Sequence, residues 1–223
     1  IGSAHNLVTK FMGSIDRSSS ARHAKLLEVD CVVASERYEG SQIFEVQVWD
    51  QSLRICSEPG VFSHGRLDVG TAFLLDNLPR PSFQRALDLG CGSGVIGAAL
   101  KRVNSESEIH FMDSSAPALA ATRRTLKENG MNAALVTASD LFSEAKGSYD
   151  LIITNPPFHQ GVKTNFGVTN QLLQEAANFL TPEGRLIVVA NTFIDYFSVM
   201  KPIYTRVKTI AENTRFRIIE AKL

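Results

Sequence analysis

The chain has too few cysteines for a disulfide scaffold or a cysteine-based zinc site. Its 223 residues include three, Cys31, Cys56 and Cys91, and no two of them form a Cys-x-x-Cys pair. Small domains held together by disulfides carry more cysteines than this, and no cysteine–histidine cluster has the spacing of metal ligands. We therefore expect reduced thiols, no metal and a cytoplasmic protein.

The sequence also lacks a membrane-spanning apolar run, a signal-peptide pattern and a net charge. A span needs about 20 consecutive apolar residues, and no stretch of this sequence reaches that length. Lysine plus arginine and aspartate plus glutamate both number 23, whereas a domain that holds nucleic acid over a broad surface is usually basic. We expect no membrane association, and any RNA or DNA contact would have to use a local patch or another domain.

The chain divides into a short N-terminal extension and one larger domain. Residues 1–27 are mixed and polar, which is typical of a linker, and residues 28–56 alternate apolar and polar positions, which predicts a small antiparallel ribbon. We therefore predict an extension over residues 1–57 and a larger domain over residues 58–223. Because the chain begins at Ile1 without an initiator methionine, we expect that part of an N-terminal domain precedes it.

From about residue 70, strand-like and helix-like segments alternate, which predicts an α/β fold with a mostly parallel sheet covered on both faces. The last two strand-like runs are joined by a short turn, so one strand of the sheet is expected to be antiparallel. The predicted strands cover Arg85–Leu89, Glu108–Met112, Ala133–Val136, Leu151–Thr154, Arg185–Ala190, Arg206–Ala211 and Phe216–Lys222.

A glycine-rich turn follows the first of these strands. Gly90, Gly92 and Gly94 lie between a predicted strand and a predicted helix, where glycine allows a sharp turn and close approach of a ligand. Gly92-x-Gly94-x-x-Gly97 also satisfies the dinucleotide-binding pattern, with an acid, Asp113, 21 residues after Gly92. A nicotinamide-dependent dehydrogenase therefore stands as one interpretation of the turn.

Three acids near successive strand ends favour S-adenosylmethionine instead. Asp88 precedes the glycines, where a negative charge disfavours a pyrophosphate and suits a ligand with an ammonium group. Asp113 can accept hydrogen bonds from ribose hydroxyls, and Asp140 from the adenine amino group. Each acid matches a different part of the same cofactor.

The tetrapeptide Asn155-Pro156-Pro157-Phe158 directly follows the fourth predicted strand of the sheet. Ligands of open α/β sheets bind at the carboxyl ends of the strands, where this segment falls. The Asn155 side chain and the Pro156 carbonyl offer two acceptors for the hydrogens of a planar amine, and Phe158 can stack on a base. The segment predicts a site that orients an exocyclic amine for methylation.

These motifs resemble those of class I adenosylmethionine-dependent methyltransferases that act on amino groups. The stretches from Gly60 to Gly70 and from Asn155 to Gly161 are most similar to those of ribosomal RNA guanine-N2 methyltransferases, in particular those of the small-subunit (16S) rRNA. The resemblance implies a Rossmann-like sheet of seven strands, adenosylmethionine as cofactor, and rRNA or the small ribosomal subunit as partner. It also implies a further N-terminal domain that contributes to RNA binding.

The resemblance assigns further roles along the chain. Phe62, Arg66 and His159 are expected to contact the substrate, with His159 a candidate proton acceptor. A large-subunit rRNA guanine-N2 methyltransferase, a protein-glutamine or DNA amino-methyltransferase with the same site, and a cofactor-binding module inactive without its missing domain remain as alternatives.

Overall fold

A computed structural model of the protein describes residues 15, 17–21, 24–28, 40–131, 135–156 and 163–223. The chain forms two compact units, residues 1–40 and residues 41–223. In the first unit, strands β1 (Arg17–Ala21) and β2 (Ala24–Glu28) pair antiparallel, with Arg17 opposite Glu28. This hairpin occupies part of the segment that the sequence analysis assigned to a linker.

The second unit begins with the antiparallel ribbon of β3 (Gln42–Val48) and β4 (Gln51–Ser57). Trp49 and Asp50 join the strands with φ angles of 48° and 63°, as in the type I′ turns that match the twist of a hairpin. The predicted alternation is confirmed here, because Val46, Val48, Leu53 and Ile55 are buried. The earlier part of the predicted ribbon, residues 29–39, lies outside the described residues.

The centre of the second unit is a sheet of seven strands. They are β5 (Arg85–Leu89), β6 (Glu108–Asp113), β7 (Leu135–Ala138), β8 (Tyr149–Thr154), β9 (Leu180–Asn191), β10 (Arg206–Glu212) and β11 (Phe216–Lys222). Their order is β10-β11-β9-β8-β5-β6-β7. Only β11 runs antiparallel to its neighbours, which confirms the predicted α/β sheet with one reversed strand.

Helices cover both faces of this sheet. They are α1 (Val69–Asn77), α2 (Val95–Val103), α3 (Ala116–Glu128), α4 (Lys163–Glu175), which continues into a 3₁₀ turn (Ala176–Phe179), and α5 (Phe197–Met200). The sheet has a hydrophobic core on each face, and successive residues of a strand enter opposite cores. On one face, Ala86 packs with residues of the first three helices, Leu74, Ile96 and Leu119. On the other face, Leu87 packs with Leu172 of α4 and Met200 of α5. No helix among the described residues is long and apolar enough to cross a membrane.

Side chains of α3 and of the residue that follows it hold the free edge of β4. The Thr125 hydroxyl accepts a hydrogen bond from the Cys56 N–H at 3.0 Å. The Asn129 amide accepts from the Arg54 N–H at 3.0 Å and donates to the Arg54 carbonyl at 2.7 Å. The ribbon is therefore fixed to the same helix that supports the glycine turn described next.

Candidate functional site

A cavity of about 390 Å³ opens at the carboxyl ends of the parallel strands in the second unit. Its walls come from the turn after β5, the ends of β6, β7 and β8, the segment before α1, and α4. Its volume falls within the range of about 300–1,000 Å³ that is typical of small-molecule sites. The carboxyl edge is where the sequence analysis expected the ligand.

The three predicted glycines all have positive φ angles, of 70°, 55° and 75° for Gly90, Gly92 and Gly94. Gly90 and Gly92 line the cavity, and an added Cβ at either would meet no atom within 4 Å. Gly94 is buried at the start of α2, where a Cβ would lie 3.0 Å from the Thr122 hydroxyl. The first two therefore leave room for a ligand, and the third allows α2 and α3 to pack closely.

Hydrogen bonds from two side chains of α3 fix the glycine turn. The Thr122 hydroxyl donates to the Gly92 carbonyl at 2.9 Å, and the Thr125 hydroxyl donates to the Ser93 carbonyl at 2.8 Å. Both threonine side chains are fully buried. Because these bonds need no ligand, the turn is organised before a ligand binds.

The Asp113 carboxylate links the end of β6 to the turn. Its Oδ2 accepts from the Gly92 N–H at 2.9 Å, and its Oδ1 accepts from the Ser115 N–H at 2.8 Å. A carboxylate has about four acceptor positions, so each oxygen retains one toward the cavity that Asp113 lines. Asp140, exposed after β7, lines the same cavity.

Asp88 is placed differently from the expectation of a direct ligand contact. It is 1% exposed and is not among the residues that line the cavity. Its Oδ2 accepts from the Gly97 N–H of α2 at 2.8 Å, because strand alternation turns residue 88 toward that helix. Burial raises the pKa of the Asp88 carboxyl to about 7.

Asn155 and Pro156 line the cavity at the end of β8. The Asn155 Nδ2 donates to Asp68 Oδ2 and to Thr71 Oγ1, both at 2.9 Å. Because an ionised carboxylate can only accept hydrogen bonds, the Asn155 side chain must turn its NH₂ group, and not its oxygen, toward Asp68. Both amide hydrogens are then used, and no residue that the structure describes bonds Oδ1, which leaves this oxygen available to a ligand.

The other predicted substrate contacts divide into two groups. Phe62, 60% exposed, and Arg66, also exposed, line the cavity. Phe158 and His159 lie outside the described residues.

Two features of the site, a contact of Asp68 and the hydroxyl of Thr154, go beyond what the sequence predicts. Asp68 precedes α1 as its N-cap, a position visible from sequence, but its contact with Asn155 joins residues 87 positions apart. Thr154, the last residue of β8, is fully buried and lines the cavity, and its hydroxyl has no hydrogen-bond partner among the described residues. Its position before Asn155 was the only available signal.

Two other kinds of chemistry, a cysteine nucleophile and a metal site, can be compared with this geometry. Burial raises the pKa of Cys91, the cysteine of the glycine turn, well above its ordinary value, so its thiol stays protonated and is a poor nucleophile. Within the described part of the chain, no cluster of three or more histidine, cysteine, aspartate or glutamate side chains is arranged to hold a metal ion.

Two curated relatives named "Ribosomal RNA small subunit methyltransferase C" resemble this chain. The protein from Ectopseudomonas mendocina is 40% identical over 213 residues, which are 94% of this chain and 64% of the relative. That from Aliivibrio salmonicida is 37% identical over 213 residues, 94% of this chain and 62% of the relative. The chain thus spans less than two thirds of the length of these relatives.

A solved structure, the T. thermophilus 16S rRNA N2 G1207 methyltransferase (RsmC) in complex with AdoMet and guanosine, shares the fold. It superposes with a TM-score of 0.82 at 22% identity, over 97% of this chain and 60% of that one. The family description "Methyltransferase small domain" matches residues 52–220, a range that includes the glycine turn, Asp113 and Asn155. This chain therefore belongs to the methyltransferase small domain family.

Proposed function

We propose that this chain catalyses transfer of a methyl group from S-adenosylmethionine to the exocyclic N2 amine of a guanosine in 16S rRNA. The observation that carries the proposal is the orientation of Asn155 at the cavity wall. Its two N–H groups are bound by Asp68 and Thr71, so its oxygen is left as an acceptor. The names of the two relatives and of the solved neighbour support the choice of substrate.

The described residues fit adenosylmethionine. Gly90 and Gly92 leave open space where side chains would otherwise enter the cavity, and Asp113 retains acceptor positions for ribose hydroxyls. Asp140 lies at the neighbouring strand end for the adenine amino group. We propose that Asp88 and Gly94 act indirectly, by holding α2 and α3 against the turn.

Bound adenosylmethionine would supply a methyl group whose S–C bond breaks as the guanine nitrogen forms the new N–C bond. The chain's part is to orient that nitrogen. Its lone pair is delocalised into the ring, and two acceptors that pull on its hydrogens favour the tetrahedral geometry of the transition state. We assign these acceptors to Asn155 Oδ1 and the Pro156 carbonyl, and base stacking to Phe158. Fixed polar groups of this kind are strongest where charge develops during the reaction.

RNA contacts belong to the same proposal. Phe62 and Arg66 are exposed beside the cavity and offer a stacking surface and a cation for phosphate, while His159 is a candidate proton acceptor. Because the 223 residues carry no net charge, we propose that an N-terminal domain outside this sequence contributes to RNA binding. An rRNA or small-subunit substrate implies a cytoplasmic enzyme.

The test is transfer of a tritiated methyl group to four acceptors: small ribosomal subunits, free 16S rRNA, large-subunit rRNA and a protein with a glutamine target. Nucleoside analysis of the product should identify N2-methylguanosine from the small-subunit RNA. Labelling of large-subunit RNA or protein alone would transfer the assignment to another member of the family. Binding of adenosylmethionine without transfer to any acceptor would contradict an active enzyme.

Asn155→Ala tests the site itself. It should lower turnover by about 10²–10³, the usual cost of losing one preorganised polar contact, while the dissociation constant for adenosylmethionine stays within about twofold. Asn77→Ala, at an exposed asparagine at the other end of α1, is the matched control. Full turnover in Asn155→Ala, or loss of its cofactor binding, would remove the main support for the proposal.

A further inference from the structure

The Asp68 carboxylate makes two structural contacts with one oxygen. As the N-cap of α1, its Oδ2 accepts from the Thr71 N–H at 2.8 Å, and the same oxygen accepts from Asn155 Nδ2 at 2.9 Å. The Thr71 side chain accepts the other bond from Asn155 Nδ2. The start of α1 and the end of β8 are therefore joined through one amide group.

We propose that Asp68 and Thr71 are positioning residues that hold the Asn155 oxygen toward the amine to be methylated. This inference rests on the proposed function, because it assigns a purpose to an oxygen that the proposed reaction needs. A side-chain amide can rotate by 180° and present its N–H groups where its oxygen had been. In that orientation Asn155 would direct donors at the hydrogens of the amine, which is repulsive.

The charge of Asp68 adds to this geometric effect. Hydrogen bonds to a charged group are about twice as strong as neutral ones, so the carboxylate strongly favours the orientation with Nδ2 toward it. Hydrogen bonds in a chain also polarise one another. Electron density drawn toward Asn155 Oδ1 makes that oxygen a better acceptor, and it does so as the amine nitrogen becomes positive. Asp68 takes no part in removing the proton from this nitrogen, because it keeps its hydrogen bonds; the proton passes to His159, the candidate acceptor named above, or to water.

Asp68→Asn keeps an N-cap and removes the charge. Asparagine is as good an N-cap as aspartate, so α1 should remain folded. While its oxygen caps Thr71, it offers Asn155 Nδ2 only a neutral acceptor, and when its amide turns, it donates to Asn155 Oδ1 and stabilises the rotated orientation. We expect kcat to fall about 10- to 100-fold, a size known for residues that orient metal-ligating side chains. The KM for RNA and the affinity for adenosylmethionine should change by less than about twofold. Thr71→Val should give a smaller loss, and Asp76→Asn, at an exposed acid near the end of α1, should give none.

A double-mutant cycle decides whether Asp68 acts through Asn155. In an Asn155→Ala background, Asp68→Asn should lower kcat no further, because no amide remains to be held. Equal losses in both backgrounds would overturn the proposal and leave the proposed function intact. The exchange variant Asp68→Asn with Asn155→Asp reverses donor and acceptor, and it should be at least about tenfold more active than Asp68→Asn alone.

Nuclear magnetic resonance tests the contact without any turnover. The Asn155 side-chain amide protons should be shifted downfield and protected from solvent exchange in the parent chain, and both effects should weaken in Asp68→Asn. Ordinary, rapidly exchanging amide signals in the parent would overturn the positioning proposal even if RNA is methylated. Protected signals in a protein that methylates no guanine would instead retain the contact and count against the proposed function.

Discussion

The carboxylate of Asp88 accepts a hydrogen bond from the Gly97 N–H across 2.8 Å, inside the layer between β5 and α2. The contact places an acid in the core, one layer behind the glycine turn that it precedes in sequence. A Cβ at Gly97 would lie 2.2 Å from the Phe111 ring, so α2 packs directly on the sheet at this point. Asp88 therefore helps to hold α2, the helix that begins where the glycine turn ends.

Stability should depend on pH through Asp88. Burial raises its pKa from 3.8 to about 7, so between those values the folded state holds a proton that the unfolded state has released. Stability from this group is present at low pH and is lost as pH rises toward the folded-state pKa. The unfolding free energy of Asp88→Asn minus that of the parent should therefore increase by about 1–3 kcal/mol as the pH is raised from 5 to 8.

Urea unfolding at both pH values measures this difference. Asp76→Asn, at an exposed aspartate, is the control for a general effect of charge. A constant difference between Asp88→Asn and the parent across the range would show that the carboxyl does not titrate there.

Asp113 should contribute to cofactor affinity beyond its support of the turn. Asp113→Asn keeps the shape of the side chain and one acceptor oxygen, but it removes the charge and the second acceptor. We expect adenosylmethionine to bind about 10- to 100-fold more weakly, since a hydrogen bond to a charged group contributes about 1.5–3 kcal/mol. Isothermal titration measures the change, and an unaltered dissociation constant would limit Asp113 to the bonds with Gly92 and Ser115.

Alanine substitutions at two glycines of the turn should have different effects, one mainly on stability and the other on cofactor binding. Gly94→Ala combines a φ of 75° with a Cβ that meets Thr122 at 3.0 Å, so it should lower stability by more than the roughly 1–2 kcal/mol of the left-handed conformation alone. Gly92→Ala has the conformational cost without the clash, and its methyl group enters the cavity. Thermal unfolding should rank Gly94→Ala as the less stable, and titration should show weaker adenosylmethionine binding in Gly92→Ala. The reverse ranking in stability would contradict the packing described for α2 and α3.

Two buried threonines provide a matched comparison. Thr122→Val removes the donor to the Gly92 carbonyl and should cost about 1–3 kcal/mol of unfolding free energy. Thr154→Val removes a hydroxyl that has no partner among the described residues, so its unfolding free energy without ligand should stay the same or rise. Chemical denaturation of both variants measures the contrast, and an equal loss in Thr154→Val would show that its hydroxyl is bonded in solution.

The fold was predictable because its signals are local. Strand and helix segments alternate along the sequence, and the turn between β10 and β11 predicts the reversed strand. Period-two alternation also explains the placement of Asp88: Leu87 and Leu89 enter one core, so residue 88 faces the other. An acid two residues before a glycine turn also has the chemistry of a ligand anchor, so the motif alone predicts a contact that the alternation does not favour.

The support of Asn155 could not be predicted in the same way. Its partners, Asp68 and Thr71, precede it by 87 and 84 residues, and they reach it only because α1 packs against the carboxyl end of the sheet. Capping α1 would by itself account for an aspartate at position 68, without any partner elsewhere. The second role follows from the tertiary arrangement alone.

The bonds between α3 and β4 have a consequence for self-association. Exposed strand edges invite pairing with other chains, and β4 has four outward-facing backbone groups at Arg54 and Cys56. Thr125 and Asn129 engage three of these groups, the Cys56 N–H and both groups of Arg54, much as a neighbouring strand would. The helix thereby closes this edge to strand addition, and the ribbon cannot seed an intermolecular sheet from that side.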